Sequence, residues 1–224
     1  MCGRIASNIS GADQLIAQFL IDQPSLDILP RYNIAPSQPV LNIIQDEIAR
    51  RTATFMRWGL IPSWAKDAAI GNRMINARGE TVAEKPAYRS ALRRRRCIIP
   101  ATGFYEWERK GKVKTPYHFY LRSGELMALA GLWETWISPA GDEVLSFTII
   151  TTAANELLRP IHDRMPVLLG REQVEIWLDH SHYDQALLTS LLVPYPPERM
   201  AAYQVSTYVN SPANEGPKCI APVA

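Results

Sequence analysis

Residues 97–122 read CIIPATGFYEWERKGKVKTPYHFYLR. Branched and aromatic side chains crowd the stretch, and Gly111–Lys112 breaks it with a polar turn. Such residues fit the pleated, half-buried surface of a sheet, and the break between two such runs predicts a hairpin. The period of two then assigns faces: Glu106 and Glu108 share one side of their strand, Tyr105 and Trp107 the other. Downstream, LMALAGLWE and LSFTIITTAA continue the pattern across a turn at PAGDE, and AAYQVSTYV reads as a last strand. Upstream, PVLNIIQ and RTATFMRWG read as two strands around the polar turn at Asp46 and Glu47.

Helical periods are fewer. SGADQLIAQFL predicts an early helix capped by Ser10, with Leu15, Ile16, Phe19 and Leu20 as its apolar stripe. REQVEIWL and SHYDQALLTSLL predict two late helices. The stretch from Pro24 to Pro36 reads as irregular, and Ala77 to Arg96 as helix or loop. Seventeen prolines against twelve glycines favour fixed turns over long helices. Linkers are short and no shift in composition divides the chain. The expected fold is a single α+β domain over residues 1–224, built on a mostly antiparallel, barrel-like β-sheet with a few peripheral helices.

The 224 residues are 47% hydrophobic, enough for a sizeable core. No apolar run approaches the ~18 residues of a membrane span, and no charged-then-apolar leader opens the chain. No membrane association and a cytoplasmic location are therefore expected. Cys2, Cys97 and Cys219 are odd in number and widely spaced, which fits reduced thiols. There is no C-x-x-C, and the nearest histidine pair, His180 and His182, reads as an exposed loop or helix start, so neither metal nor cofactor is expected. Net charge is only +2, yet Arg73–Arg96 holds eight basic residues and two acidic ones, a local +6 that leaves −4 elsewhere. Such a stripe can meet phosphates, although an arginine run such as RRRR equally fits a solvated face.

Four local patterns could bear chemistry: MCGR at the start, MINARGET with Asn76 and Arg78, ATGFYEWE with Glu106, and RPIHDRMPVLL with His162. A carboxylate among rings would have its pKa raised and could move protons near neutrality. His162 lies between Pro160 and Pro166, which pin its backbone. Asn76 could donate amide hydrogens to an oxygen. Taken singly, each has a plainer role: a solvated sheet edge for Glu106, a turn for His162, a cap for Asn76. Cys2 is more unusual. Aminopeptidases remove Met1 when the second residue is small, and the chain would then begin with an amine and a thiol on adjacent carbons. An α-amine with a pKa of about 7.7–8.0 is about one-third neutral at pH 7.5, so it can add to an aldehyde as an imine, and the neighbouring thiol can close a five-membered thiazolidine.

The segments MCGR, RYNIAPSQ, MINARGET, GFYEWE and IHDRMPV occur in an order that resembles the SOS response-associated peptidase (SRAP) family, from Cys2 to the NEGPKCIAPVA tail. The resemblance implies an abasic-site sensor and shield that binds single-stranded DNA and forms a covalent crosslink between Cys2 and the ring-opened sugar. It places Asn76, Glu106 and His162 around Cys2. It gives Arg4, Arg78 and Arg164 to phosphates, and Pro36 and Trp107 to the bases beside the lesion, with Trp64 as a further contact. It implies lyase-like covalent catalysis, a monomer, and association with the nucleoid when DNA is bound. Two other readings stay open. One is a cysteine-type peptidase or autopeptidase, for which Cys2, His162 and Asn76 or Glu106 are the right residue types. The other is a non-covalent single-stranded-DNA-binding module.

Overall fold

A strand that alternates apolar and polar residues needs a different environment on each face, and the chain supplies both with two sheets. The computed structural model describes residues 2–22, 27–181 and 183–223. In chain order the first elements are β1 (Ile5–Ser7), α1 (Asp13–Phe19), β2 (Arg31–Ile34), β3 (Pro39–Gln45), β4 (Arg51–Trp58), β5 (Asn76–Arg78) and α2 (Arg89–Arg94). Then come the long strands β6 (Arg96–Ala101), β7 (Gly103–Lys110), β8 (Val113–Leu121), β9 (Met127–Ile137) and β10 (Glu143–Ala153). The last are β11 (Arg164–Pro166), α3 (Arg171–Leu178), α4 (Gln185–Ser190) and β12 (Met200–Gln204).

One sheet runs β12-β8-β7-β1-β2. The other runs β11-β10-β4-β3-β6-β9, and a further β9–β10 ladder closes five of its strands into a barrel. The expected α+β, largely antiparallel, barrel-like architecture is thus what forms. Two pairings are parallel: β10 with β4, and β10 with β5. Alternation along the barrel strands feeds two cores. Val40, Trp58, Cys97, Ile99, Phe147 and Ile149 pack with Cys2, Phe104 and Phe119. Leu41, Ile43, Ile98, Ala130, Leu132 and Ile150 pack against the helices through Leu15, Phe19, Leu92 and Trp177. No helix among the described residues is long and apolar enough to cross a membrane.

Several local expectations are corrected. Ser10 does not cap the first helix, which has Ala12 at its N-cap and no side-chain bond there. Leu20, placed on the apolar stripe, ends that helix in a left-handed conformation and is 61% exposed. The supposedly irregular stretch before Pro36 contains β2, whose residues are fixed by tertiary partners rather than by pattern, while Pro24 lies outside the described residues. The final strand stops at Gln204, and a 3-10 turn capped by Ser206 follows. His180 is half-buried rather than exposed, and His182 lies outside the described residues.

The arginine run is the largest departure. Arg96 is fully buried. Its guanidinium donates to the carbonyls of Leu92 (2.8 Å), Arg93 (3.0 Å), Trp177 (2.5 Å) and Asp179, so it ties the ends of α2 and α3 together. Helix ends leave carbonyls without intrahelical donors, and one planar fork with five N–H groups can serve several. Burial lowers its pKa to about 10, so it stays charged at neutral pH. Arg95 pairs with Glu134 (2.7 Å), and Arg93 lies over the Tyr183 ring. The run is therefore partly a structural clamp.

His118 is the second buried polar group of note. It faces Tyr105 across the β7–β8 ladder and is ringed by Tyr105, Tyr120 and Tyr203 at centroid distances of 5.1, 6.1 and 5.4 Å. Neither ring nitrogen has a hydrogen-bond partner among the described residues. Only glycine fits beside it, because a Cβ at Gly103 would stand 2.2 Å from Nε2.

Two predictions follow from these buried groups. Arg96→Met strands the carbonyls of two helix ends and is expected to cost about 3 kcal/mol in urea unfolding. Arg96→Lys should not restore it, because one ammonium cannot span the same acceptors. Burial holds the His118 pKa at about 4, below its ordinary 6.5. The unfolded chain therefore takes up this proton first. Stability falls as pH drops from about 6.5 toward 4, by roughly 3 kcal/mol in total. His118→Phe should reduce the fall of Tm between about pH 7 and pH 5, leaving the part due to His180, whose pKa burial also lowers to about 4.

Candidate active site

The site is assembled on the edge where the N-terminal segment meets β7. Ile5 pairs with Phe104 and Ala6 with Gly103. The Tyr105 N–H then donates to the Arg4 carbonyl at 3.0 Å, which continues the ladder beyond β1 toward Cys2. Cys2 is fully buried in the core that contains Phe104 and Phe119. Asn76 opens β5, held in parallel register to Ile149 of β10, and its Nδ2 donates to the Cys2 carbonyl at 2.8 Å. The Asn76 Oδ1 is buried and has no hydrogen-bond partner among the described residues.

Glu106 lies on β7 opposite Tyr117 and is 4% exposed. Its face is the one that alternation assigned. Phe104 enters the Cys2 core, whereas Tyr105 and Trp107 belong to a separate cluster with Val205, Val209 and Cys219. Burial raises the Glu106 carboxyl above the ordinary carboxylate range, with His162 pulling it back down. Burial also raises the Cys2 thiol, and the Glu106 carboxylate raises it further against the opposing Arg4 amide. These couplings bring Cys2, Glu106 and His162 into one electrostatic neighbourhood. His162 sits in the turn leading into β11, where its Nδ1 accepts the Arg164 N–H at 3.0 Å and lies 3.0 Å from Asp163 Oδ1. Two clefts of about 650 and 560 Å³ flank α1 and α3, and none of the four residues lines them.

The expected DNA-contacting residues divide. Arg78 is exposed and has no ion pair among the described residues. Trp64 is 62% exposed on the loop after β4, and Pro36 is half-buried in the turn after β2. Arg164 makes a fork with Glu80 (2.5 and 2.9 Å) and donates to the Thr151 carbonyl at 2.6 Å, and the pair holds Glu80 below its usual range. Arg4 donates to Asn33 Oδ1 (2.6 Å) and the Val209 carbonyl (2.8 Å), and its guanidinium lies 5.7 Å from the Trp107 ring centroid. Trp107 is half-buried on the face opposite Glu106, with Nε1 donating to Asn210 Oδ1 at 2.7 Å.

Sequence reasoning missed the support under Arg4. Asn33 is fully buried, accepts from Arg4, and donates Nδ2 to the carbonyls of Val209, Ser211 and Asn214. Glu215 accepts from the Tyr32 and Asn33 amides and pairs with Arg31. The signal lay in RYNIAPSQ and NEGPKC, two polar stretches far apart in the chain whose partnership no local pattern reveals.

Comparison with known proteins supplies the family. The model for "SOS response associated peptidase (SRAP)" matches residues 1–212. Abasic site processing protein YoqW of Bacillus subtilis (strain 168) is 51% identical over 223 residues, covering 98% of this chain and 99% of that protein. Abasic site processing protein HMCES of Gallus gallus is 36% identical over 225 residues, covering 87% of this chain and 66% of that protein. A crystal structure of a Bacteroides thetaiotaomicron protein superposes with a TM-score of 0.87 at 28% identity, covering 98% of this chain and all of that one. The match extends over nearly the whole chain and includes every segment that forms the Cys2 site, so this protein belongs to the SRAP family.

Proposed function

We propose that the protein processes abasic sites in single-stranded DNA, binding the strand and joining itself covalently to the ring-opened sugar through Cys2. The observation that supports this best is the convergence on Cys2: its carbonyl held by Asn76, its thiol coupled to Glu106, and Glu106 coupled to His162. The relatives named for abasic site processing point to the same substrate class.

The chemistry follows from these groups once Met1 is removed. His162 protonates the ring oxygen of the sugar while the anomeric hydroxyl loses its proton to solvent, so the hemiacetal opens to an aldehyde. The neutral Cys2 amine adds to the aldehyde carbon, and the carbinolamine loses water to give an imine. The thiol then adds to the imine carbon, its proton leaves, and the former imine nitrogen gains one, closing a thiazolidine. Burial and Glu106 both keep the sulfur as thiol, so the amine attacks first and the thiol closes the ring only with a base beside it. Glu106, its carboxyl raised by burial, is that base and the acid for water loss. Asn76 fixes the Cys2 backbone, and its Oδ1, without a partner among the described residues, accepts from the reacting amine or a sugar hydroxyl.

A cysteine peptidase needs the opposite condition, a thiolate ready to attack. The raised Cys2 thiol therefore favours the aldehyde chemistry over peptide turnover.

Intact-protein mass after mixing with an abasic oligonucleotide is expected to show loss of Met1 and the increment of a heat-stable adduct. Cys2→Ala should form none while still binding DNA; an adduct of unchanged yield would refute the assignment. Peptide turnover in the absence of DNA would favour the peptidase instead. Glu106→Gln is expected to slow adduct formation by about 10²-fold or more. It should not weaken the fold. Because Glu106 has a raised carboxyl pKa, its ionisation costs stability that grows as pH rises above the ordinary 4.5, so the Gln variant should melt at or above the wild-type Tm at neutral pH. A lower Tm would assign Glu106 to the scaffold.

A further inference from the structure

Arg57 lies at the end of β4, one residue before Trp58, whose indole N–H holds the Ile75 carbonyl at 2.9 Å beside Asn76. Arg57 is half-buried, and its guanidinium bonds at the surface. Nη2 donates to Asn72 Oδ1 (2.9 Å) and Ser37 Oγ (3.2 Å), and Nη1 reaches the Gly59 carbonyl at 3.5 Å. Ser37 in turn donates Oγ to the same Asn72 Oδ1 at 3.1 Å. All of these partners are neutral. Arg31, Arg50, Arg51, Arg95 and Arg164 each pair with a carboxylate, but Arg57 has none within 4.0 Å among the described residues.

The backbone around it is built at a cost. Ser37 sits at φ 72, in the left-handed region that costs a non-glycine residue about 1 kcal/mol or more. A Cβ at Gly59 would stand 2.5 Å from the Gly71 carbonyl oxygen and 3.0 Å from Arg57 Nη1, and one at Gly71 would stand 2.6 Å from the Gly59 oxygen and 3.1 Å from the same Nη1. Two glycines and a strained serine thus seat one arginine that has no carboxylate partner among the described residues. Three bonds occupy three of its five N–H groups, which leaves donors for an anion. Pro36 adjoins Ser37, and Trp64 stands exposed on the loop that follows Gly59.

We propose that Arg57 is a phosphate-binding residue that grips one phosphodiester of the bound strand beside Pro36, with Ser37 and Asn72 as its positioning residues. This rests on the DNA-binding reading above and adds a contact outside the Cys2 pocket. A guanidinium fixed by neutral acceptors is pre-organised for an oxyanion and keeps its full charge for it.

The test is binding of single-stranded DNA carrying a tetrahydrofuran abasic analogue, which has no aldehyde, measured across a salt series. Each phosphate contact on single strands contributes about 0.7 to the slope of log affinity against log salt. Arg57→Gln, which removes the charge, should make the slope shallower by about 0.7 and weaken binding about eightfold at about 50 mM salt. Asn72→Asp, isosteric and placing a carboxylate on the guanidinium, should flatten the slope equally, and Arg57→Lys should restore it. Crosslinking of a true abasic strand should slow in Arg57→Gln at subsaturating DNA and recover toward the wild-type rate as DNA is raised to saturation. An unchanged slope in Arg57→Gln and Asn72→Asp overturns the proposal, as does a lost crosslinking rate with intact affinity. Because the analogue cannot crosslink, wild-type protein that binds it but forms no adduct with abasic DNA would sink the covalent reading while the slopes still decide Arg57.

Discussion

The Tyr105 N–H bond to the Arg4 carbonyl fixes one side of Gly3, and the Asn76 amide bond to the Cys2 carbonyl fixes the other. Between them the N-terminal segment has little freedom left. An unanchored chain end is ordinarily among the most mobile parts of a domain. Here the anchoring removes that entropy before any substrate arrives, which is the condition under which an intramolecular ring closure gains a large effective concentration. The remaining supports act through these two bonds. Asn33 holds Arg4 and gathers three carbonyls of the C-terminal tail, and Glu215 clamps the same strand from its other end. The tail thus reinforces the seat of a residue some two hundred positions earlier in the chain.

The same seat sets the protonation states. A fully buried Cys2 and a nearly buried Glu106 each resist carrying charge, and the Glu106 carboxylate makes ionisation of Cys2 harder still. The pocket therefore favours a protonated sulfur and a carboxyl that holds its proton more readily than an exposed one. This suits a sequence in which nitrogen attacks, water leaves and sulfur follows. It is unsuited to a standing thiolate. Burying a carboxylate this way sacrifices stability for reactivity, as functional sites commonly do.

Much of the architecture was legible because it depends on local periodicity. The hairpin from Gly103 to Leu121, the strands at Pro39–Gln45 and Arg51–Trp58, and the helix at Arg171–Leu178 all follow from alternation or a 3.6-residue repeat. The placement of Glu106 on the face opposite Trp107 followed from the same rule. What could not be read was anything fixed by a distant partner. β2 exists because β1 and the tail flank it, and its sequence alone has too few residues to declare a strand. Asn76, Glu106 and His162 were recognisable as a set only through the family resemblance. The approach of Asn76 and His162 to Cys2 requires the closure of β5 and β11 onto β10, and that of Glu106 the pairing of β7 with β1, which no spacing encodes.

Charge density was the least reliable guide, and the arginines show why. A count of basic residues treats every guanidinium as a free cation, yet the fold spends them differently. Arg96 sits at zero exposure among four carbonyls, and Arg95 is neutralised by Glu134. Arg4 and Arg164 lie beside the site but are held by internal acceptors, so a phosphate there must compete with Asn33 or Glu80. Such competition tightens geometry at the expense of net attraction, because displacing a bonded carboxylate returns much of the gain. Among the described residues, Arg57 and Arg78 have no carboxylate within 4.0 Å. The electrostatic pull on a strand should therefore come from a few uncompensated arginines flanking the pocket, while those nearest the reacting sugar act chiefly to hold shape.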